Sequence, residues 1–224
     1  MSNPDSNIHT YLNPYSYLTL RKNGLLEIVH RNFKIEYDSF LLVALNNLIG
    51  LPIKNRHSFD DTSDAPLIIK KYAYGIPRIG IIGSSSETIS KAKKILESRY
   101  GNIILYCQDG YFSYEAETEI IKNFSRCDLV ICSMGAPKQE IFLLKLADTG
   151  WTGSGYTCGG YFDQLVVANG SNYYPSIINK LNLRWAYRIY KEPRRLWRRY
   201  LFDYPIGCVL YCYDQLIKAR SRNS

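Results

Sequence analysis

Paired metal ligands are the first thing this sequence lacks. Its six cysteines stand at 107, 127, 132, 158, 208 and 212, with no CxxC pair, and its three histidines, His9, His30 and His57, lie far from them. A Cys/His zinc site needs closely spaced pairs, so no metal is expected. The cysteines read as reduced, mostly core thiols, since free cysteine packs as a small apolar residue. An apolar leader is missing too: Met1 to Asn7 is polar and contains Pro4. No secretory signal is expected, and a cytoplasmic setting is. The apolar stretch Ile206 to Tyr213 has eight residues, far below the ~20 that cross a bilayer. Gly80-x-x-Gly83 lacks the full GxGxxG pattern, so a dinucleotide cofactor is not expected. No DxD pair stands at a strand end either; Asp60 and Asp61 are adjacent, in a loop.

Acidic residues are scarce in one place only. From residue 182 onward ten basic residues face three acidic ones, which accounts for +7 of the net charge of +8. The remaining 181 residues are nearly neutral. The sequence thus reads as a core, 1–181, followed by a basic appendage, 182–224. A chain of 224 residues has room for one sizeable core with such an addition. Twenty tyrosines suggest amphipathic surfaces or stacking platforms.

Apolar residues recur at helical spacing in 15–20, 25–29 and 40–48. Residues 52–66 form a polar loop bounded by prolines, long enough to suggest a functional segment. An alternating pattern follows. "RIGIIGS" (78–84), "NIILYCQ" (102–108), "DLVICSM" (128–134) and a glycine-punctuated stretch within 151–162 read as strands. Between them 89–100, 114–124 and 140–147 read as helices. Strands alternating with helices predict an α/β fold, a Rossmann-like parallel sheet flanked by helices, with ligands at the carboxyl ends of the strands. Gly135-Ala136-Pro137 falls just past the third strand, so Lys138, Gln139 and Glu140 open a helix at that edge. A helix N-terminus favours an anion such as a diphosphate. Glu140 there also fits ordinary helix-start chemistry.

Read in order, "GIIGSSSETISKAKKIL", "QDGYF", "DLVICSMGAPKQE", "CGGYFD" and "LRWAYRIYKEPRRLWRRY" closely resemble the WecG/TagA/CpsF family of bacterial glycosyltransferases. The resemblance runs over roughly residues 10 to 205. It implies an inverting, metal-independent enzyme with no bound cofactor. Such an enzyme moves a hexose or N-acetylhexosamine from a UDP-sugar to a polyprenyl-diphosphate-linked saccharide, for teichoic acid, capsule or exopolysaccharide. The family's catalytic carboxylate falls on Asp38, with Ser39 where the family has Gly. Asn13 and Thr10 match its N-terminal Thr-Asn element. Arg56 and Asp61 match an Arg-x-x-Gly-x-Asp loop, with Phe59 in place of Gly. Pro137, Gln139, Glu140 and Asp163 match directly, and Gly83, Asp109, Gly110, Gly159 and Gly160 join them as substrate-binding candidates. Asn172-Tyr173-Tyr174-Pro175 departs from the family's Lys-Arg-Ala-Pro, and an opening strand is expected to be absent.

An inverting transfer needs one general base on the acceptor hydroxyl; Asp38 is assigned that role, and the competing reading is a cap on the helix after it. Charge on the departing UDP would be met by backbone N–H groups and by Arg56 or a tail arginine. In the tail, Arg184, Arg188, Lys191, Arg195 and Arg198 step by four and three, one helical face, kinked at Pro193. With Arg194, Arg199 and interleaved Trp and Tyr, this face suits an anionic membrane headgroup layer, each basic residue adding about 1 kcal/mol. The protein is therefore expected on the inner face of the plasma membrane, peripherally, with a homo-oligomer left open. Nucleic acid is the lesser reading of the same residues, and a non-catalytic partner in a polysaccharide assembly complex is the alternative function.

Overall fold

The computed structural model describes residues 3, 5–51, 55–171, 173–175, 177–178, 181 and 183–220, with the side chains of Arg195 and of 218–220 excepted. The readings that fall on Pro52 to Lys54, Asn172, Asn182 and Arg222, and on those side chains, lie outside the described residues. Packing divides the chain into two units. The first comprises Met1–Tyr11, Glu27–Ile35 and Ser58–Tyr173; the second comprises Leu12–Leu26, Glu36–His57 and Tyr174–Ser224. The basic segment thus shares its unit with two N-terminal stretches.

One six-stranded sheet runs β2-β1-β6-β5-β3-β4. Its strands are β1 (Ile8–Leu12), β2 (Lys34–Tyr37), β3 (Ile79–Gly83), β4 (Ile104–Gln108), β5 (Leu129–Ser133) and β6 (Ser154–Thr157). β1 pairs with β6, β6 with β5, β5 with β3 and β3 with β4, all parallel. This is the expected α/β, Rossmann-like sheet. β1 near the start of the chain supplies the opening strand that was expected to be absent. The four strands of the alternating region all form, the first three within two residues of their expected bounds and the fourth inside the stretch 151–162.

The first unit is built around β3 and β5, which are buried at every residue. Strands covered on both faces read as continuous apolar runs rather than alternations, which is why "IGIIG" and "LVICS" stand out. Ile79, Ile81, Leu129 and Ile131 are fully buried, each contributing about 1.5–3 kcal/mol by area. Helices α5 (Ser86–Tyr100), α6 (Tyr114–Phe124), α7 (Lys138–Asp148) and α8 (Tyr161–Val167) connect or follow the strands. In α5, Ser85 caps the start by accepting from Thr88 N at 3.2 Å, and Gly101 ends it at φ +87°. α4 (Ala65–Ala73) and α8 have no clear periodic signal in the sequence. The first is short and enters through Ala65-Pro66; the second follows the glycine pair directly.

Gly80 and Gly83 stand where packing leaves no room for a side chain. A Cβ at Gly80 would meet the Phe124 ring and the Cys127 thiol. Gly83 has φ +129°, and a Cβ there would run into the Ser133 backbone. Ser84 N donates to the Ser133 carbonyl at 3.1 Å in the same contact.

In the second unit α1 (Pro14–Lys22) packs on the last helix, α11 (Tyr204–Arg220). Asp214 accepts from Tyr17 Oη at 2.5 Å and from Arg21 at 2.8 and 3.2 Å. Tyr211 is buried against Tyr17 and donates to Asn46 Oδ1 at 2.7 Å, which ties in α3 (Phe40–Leu48). The basic segment forms α9 (Arg184–Lys191), α10 (Pro193–Arg198) and one π-helical turn, Arg199–Asp203. The break falls at Pro193, as expected.

Gly83→Ala is expected to cost roughly 2–4 kcal/mol, from positive-φ strain and backbone overlap. At Gly207 a Cβ would strike the Pro14 carbonyl, and Gly207→Ala is expected to cost roughly 1–3 kcal/mol. Urea melts of the two variants check both values; a shift below about 0.5 kcal/mol in either would show that the close approach there relaxes freely.

Candidate active site

The strand order reverses between β3 and β5. β4 lies on one side of β3, while β5 and β6 lie on the other. Such a switch point opens a crevice beyond the carboxyl ends of the two strands. Two helix N-termini arrive there, α5 directly after Ser84-Ser85 and α7 after the turn Gly135-Ala136-Pro137, whose Ala136–Pro137 bond is cis. Free N–H groups and helix dipoles at those ends suit a diphosphate.

Several of the sequence-predicted residues gather at this edge. Gly110 N donates to the Ser84 carbonyl at 3.0 Å, and a Cβ added at Gly110 would press on Gly83 and Ser84. Asp109 forms the turn beside them, accepting from Tyr111 N at 2.8 Å. Ser84, at φ +55°, donates through Oγ to Asp163 Oδ1 at 2.7 Å. This fixes the first turn of α8 to the β3 edge. Pro137 opens α7, Gly160 precedes α8, and Gly159 sits at φ +55°. The sequence marks Ser84 only as a helix-start residue; its positive φ is not visible there.

Beneath the edge lies a buried polar network. Gly159 N donates to Gln139 Oε1 at 3.2 Å, and Gln139 Nε2 donates to Glu140 Oε1 at 3.0 Å. Thr10 Oγ1 donates to the same Glu140 oxygen at 3.0 Å. Thr157 Oγ1 donates to Thr10 Oγ1 at 3.0 Å and accepts from Tyr11 N at 3.3 Å. Ser133 Oγ donates to the Gly159 carbonyl. Thr10 and Glu140 are fully buried, and Gln139 nearly so. Burial raises the Glu140 pKa, against the hydrogen bonds from Gln139 and Thr10. Burial likewise pushes up the thiols of Cys132 and Cys158, which removes them as nucleophiles.

Asp61 is committed elsewhere in the first unit. It holds Arg99 at 3.1 Å and accepts from Tyr161 Oη at 2.8 Å. Arg99 lies in the last turn of α5, the end opposite the ligand edge, and also donates to the Gly170 carbonyl. Phe59 is buried against Tyr11, Tyr156 and Tyr161. Its ring fills core where the family pattern has Gly.

The second unit holds the carboxylate assigned as base. Asp38 follows β2 and accepts from Arg56 at 2.6 Å, both side chains partly buried. The residue that caps α3 is Ser39, extended at φ −153° and accepting from Leu42 N; the cap reading of Asp38 gives way. Asn13 caps α1 in a reciprocal box with Ser16. Arg188 is half-buried as a residue, yet its Nε is enclosed and has no hydrogen-bond partner among the described residues. Burial opposes its charge, but Tyr200, Tyr174, Tyr204 and Asp38 outweigh that and raise its pKa. Arg199 lies over the Tyr15 ring at 4.0 Å, and its Nε is enclosed in the same way. Arg184 covers Tyr174 at 4.7 Å. Arg194 and Arg198 are exposed, and so are Trp185, Tyr190 and Trp197. The basic segment is therefore two-faced, where the spacing alone suggested one face. Among the described residues no group of three metal-ligating side chains converges, and no helix is long and apolar enough to cross a membrane.

Comparison with known proteins gives this geometry a family. The glycosyl transferase WecG/TagA/CpsF family matches residues 1–222. A protein of Shigella boydii named as a UDP-Gal:α-D-GlcNAc-diphosphoundecaprenol β-1,4-galactosyltransferase is 33% identical over 222 residues, 96% of this chain and 90% of its own. A protein of Staphylococcus aureus (strain MW2) named as an N-acetylglucosaminyldiphosphoundecaprenol N-acetyl-β-D-mannosaminyltransferase is 27% identical over 175 residues, 77% of this chain and 67% of its own. Matched along almost its whole length, the chain belongs to the WecG/TagA/CpsF family of glycosyltransferases.

Proposed function

We propose that this glycosyltransferase moves a hexose or N-acetylhexosamine from a UDP-sugar to a saccharide carried on polyprenyl diphosphate, in the synthesis of a bacterial surface polysaccharide. The names of the Shigella and Staphylococcus relatives support that acceptor class. The observation that carries the chemistry is Asp38 held by Arg56 at 2.6 Å, with the enclosed guanidinium of Arg188 among its electrostatic neighbours.

The reaction needs few parts. Asp38 takes the proton of the acceptor hydroxyl as that oxygen attacks the anomeric carbon. The bond from that carbon to UDP breaks, and its electron pair leaves with UDP. A single displacement of this kind inverts the anomeric centre. Arg56, bonded to the carboxylate at 2.6 Å, orients it for that proton transfer. The diphosphate of the donor is read at the α5 and α7 N-termini, through the N–H groups of their first turns. In this reading the departing charge is met by protein groups, without a bound metal. Arg194, Arg198, Trp185 and Trp197 face outward, the combination that favours an anionic headgroup layer. Peripheral placement at a membrane would bring the enzyme to its lipid-linked acceptor.

UDP release is the test. Purified protein is given UDP-galactose, UDP-glucose, UDP-GlcNAc or UDP-ManNAc with a short-chain GlcNAc-diphosphate-polyprenol. One donor is expected to support acceptor-dependent release, and Asp38→Asn to lower kcat by about 10²–10⁴-fold with an unchanged melting temperature. Release that survives Asp38→Asn intact would discard the base; no release with any donor would count against this acceptor.

A further inference from the structure

Glu140 matches the family motif, yet its environment is unusual for a side chain that would line an open substrate site. The residue is wholly buried. Oε1 accepts two hydrogen bonds, from Thr10 Oγ1 and Gln139 Nε2, each at 3.0 Å. Oε2 is enclosed and has no hydrogen-bond partner among the described residues. An orphaned buried oxygen costs stability, and a native fold that keeps one calls for an explanation. Packing does not supply it, because an apolar residue at this position would leave no oxygen orphaned.

The connections from Glu140 supply one. Through Gln139, which is held on one side by Glu140 and on the other by Gly159 N at 3.2 Å, it sets the position of the Gly159-Gly160 turn. Through Thr10 and Thr157 it ties β1 to β6. Ser133 at the end of β5 adds a bond to the Gly159 carbonyl. Apart from the Gln139–Glu140 bond within α7, these bonds link β1, β5, β6 and α7 with the Gly159 turn. We infer that Glu140 is a positioning residue for the donor nucleotide: it locks Gln139 and Thr10, and through them holds the Gly159-Gly160 turn in its UDP-binding position. It would not touch substrate. This inference rests on reading that edge as the nucleotide site.

UDP serves as the probe, with the full-length protein. Its affinity is measured by calorimetry for wild type, Glu140→Ala, Glu140→Gln and Thr10→Val, and the Michaelis constants for donor and acceptor are measured alongside. Glu140→Ala removes the shared acceptor and is expected to weaken UDP binding by about tenfold or more. Glu140→Gln keeps a carbonyl for Thr10 and Gln139, and is expected to recover affinity to within about threefold of wild type. The donor KM should rise in Glu140→Ala while the acceptor KM holds, a split that a general loss of stability would not produce. If wild type binds no UDP, the nucleotide reading itself falls. If wild type binds and a folded Glu140→Ala binds equally well, the positioning role falls alone. Should Glu140→Ala fail to fold, Thr10→Val decides, because it keeps the volume and removes one donor; unchanged UDP affinity there overturns the inference.

Discussion

The first unit depends on how closely β3 and β5 approach at their carboxyl ends. Gly83 meets the Ser133 backbone at a distance that leaves no room for a side chain. Ser84 N then bonds the Ser133 carbonyl, and Gly110 packs on Gly83 from the other side. Three strand ends are thereby drawn into one small area. The sheet reverses its order there, so helices on opposite faces begin beside each other. A wider gap would separate the N-termini of α5 and α7 and weaken their joint attraction for an anion, since a helix dipole acts over little more than its first turn. The position of Asp163 follows from the same contact, because its partner Ser84 is the residue at the turn.

Charge in the second unit is ordered differently. An isolated cation in a low-dielectric site is costly, yet Arg188 and Arg199 both enclose their Nε atoms. Tyrosines absorb part of that cost. Arg199 lies on the Tyr15 ring and approaches Tyr204; Arg188 has Tyr174, Tyr200 and Tyr204 about it. The abundance of tyrosine noted in the sequence thus has a local use, as the wall around inward arginines. Arg194 and Arg198, on the short helix α10 that lies between those two in the chain, face solvent instead. Arg188, with Asp38 among its electrostatic neighbours, suits charge held inside the unit, while the exposed Arg194 and Arg198 suit a surface. One segment can carry both because Pro193 and the π-helical turn reset the helix phase.

Much of this is legible in the sequence where the physics is local. Central strands covered on both faces announce themselves as apolar runs, and helices with Ser caps and Gly stops announce their ends. α4 and α8 are not legible, being short and set by what they pack against. The site divides along the same line. Gly83, Asp109, Gly110, Pro137 and Asp163 follow strand ends and so are placed by topology. That Asp61 is spent on Arg99 and Tyr161 is not visible, because those partners lie 38 and 100 residues away. Nor can spacing distinguish the inward from the outward arginines, which depends on tertiary neighbours.

Two of the departures from the family pattern, Ser39 and Phe59, take on structural roles of their own. Ser39 replaces a glycine directly after the proposed base. It takes over the cap of α3, a job that Ser does well. Asp38 is therefore not drawn into capping and keeps its bond to Arg56. Phe59 replaces a glycine in the loop before α4. Its ring is buried among three tyrosines, where it anchors the loop that follows His57. Both substitutions add a local restraint, a helix cap at Ser39 and a buried ring at Phe59. Asp38 and Arg56, which both match the family pattern, remain bonded to each other at 2.6 Å beside the new cap.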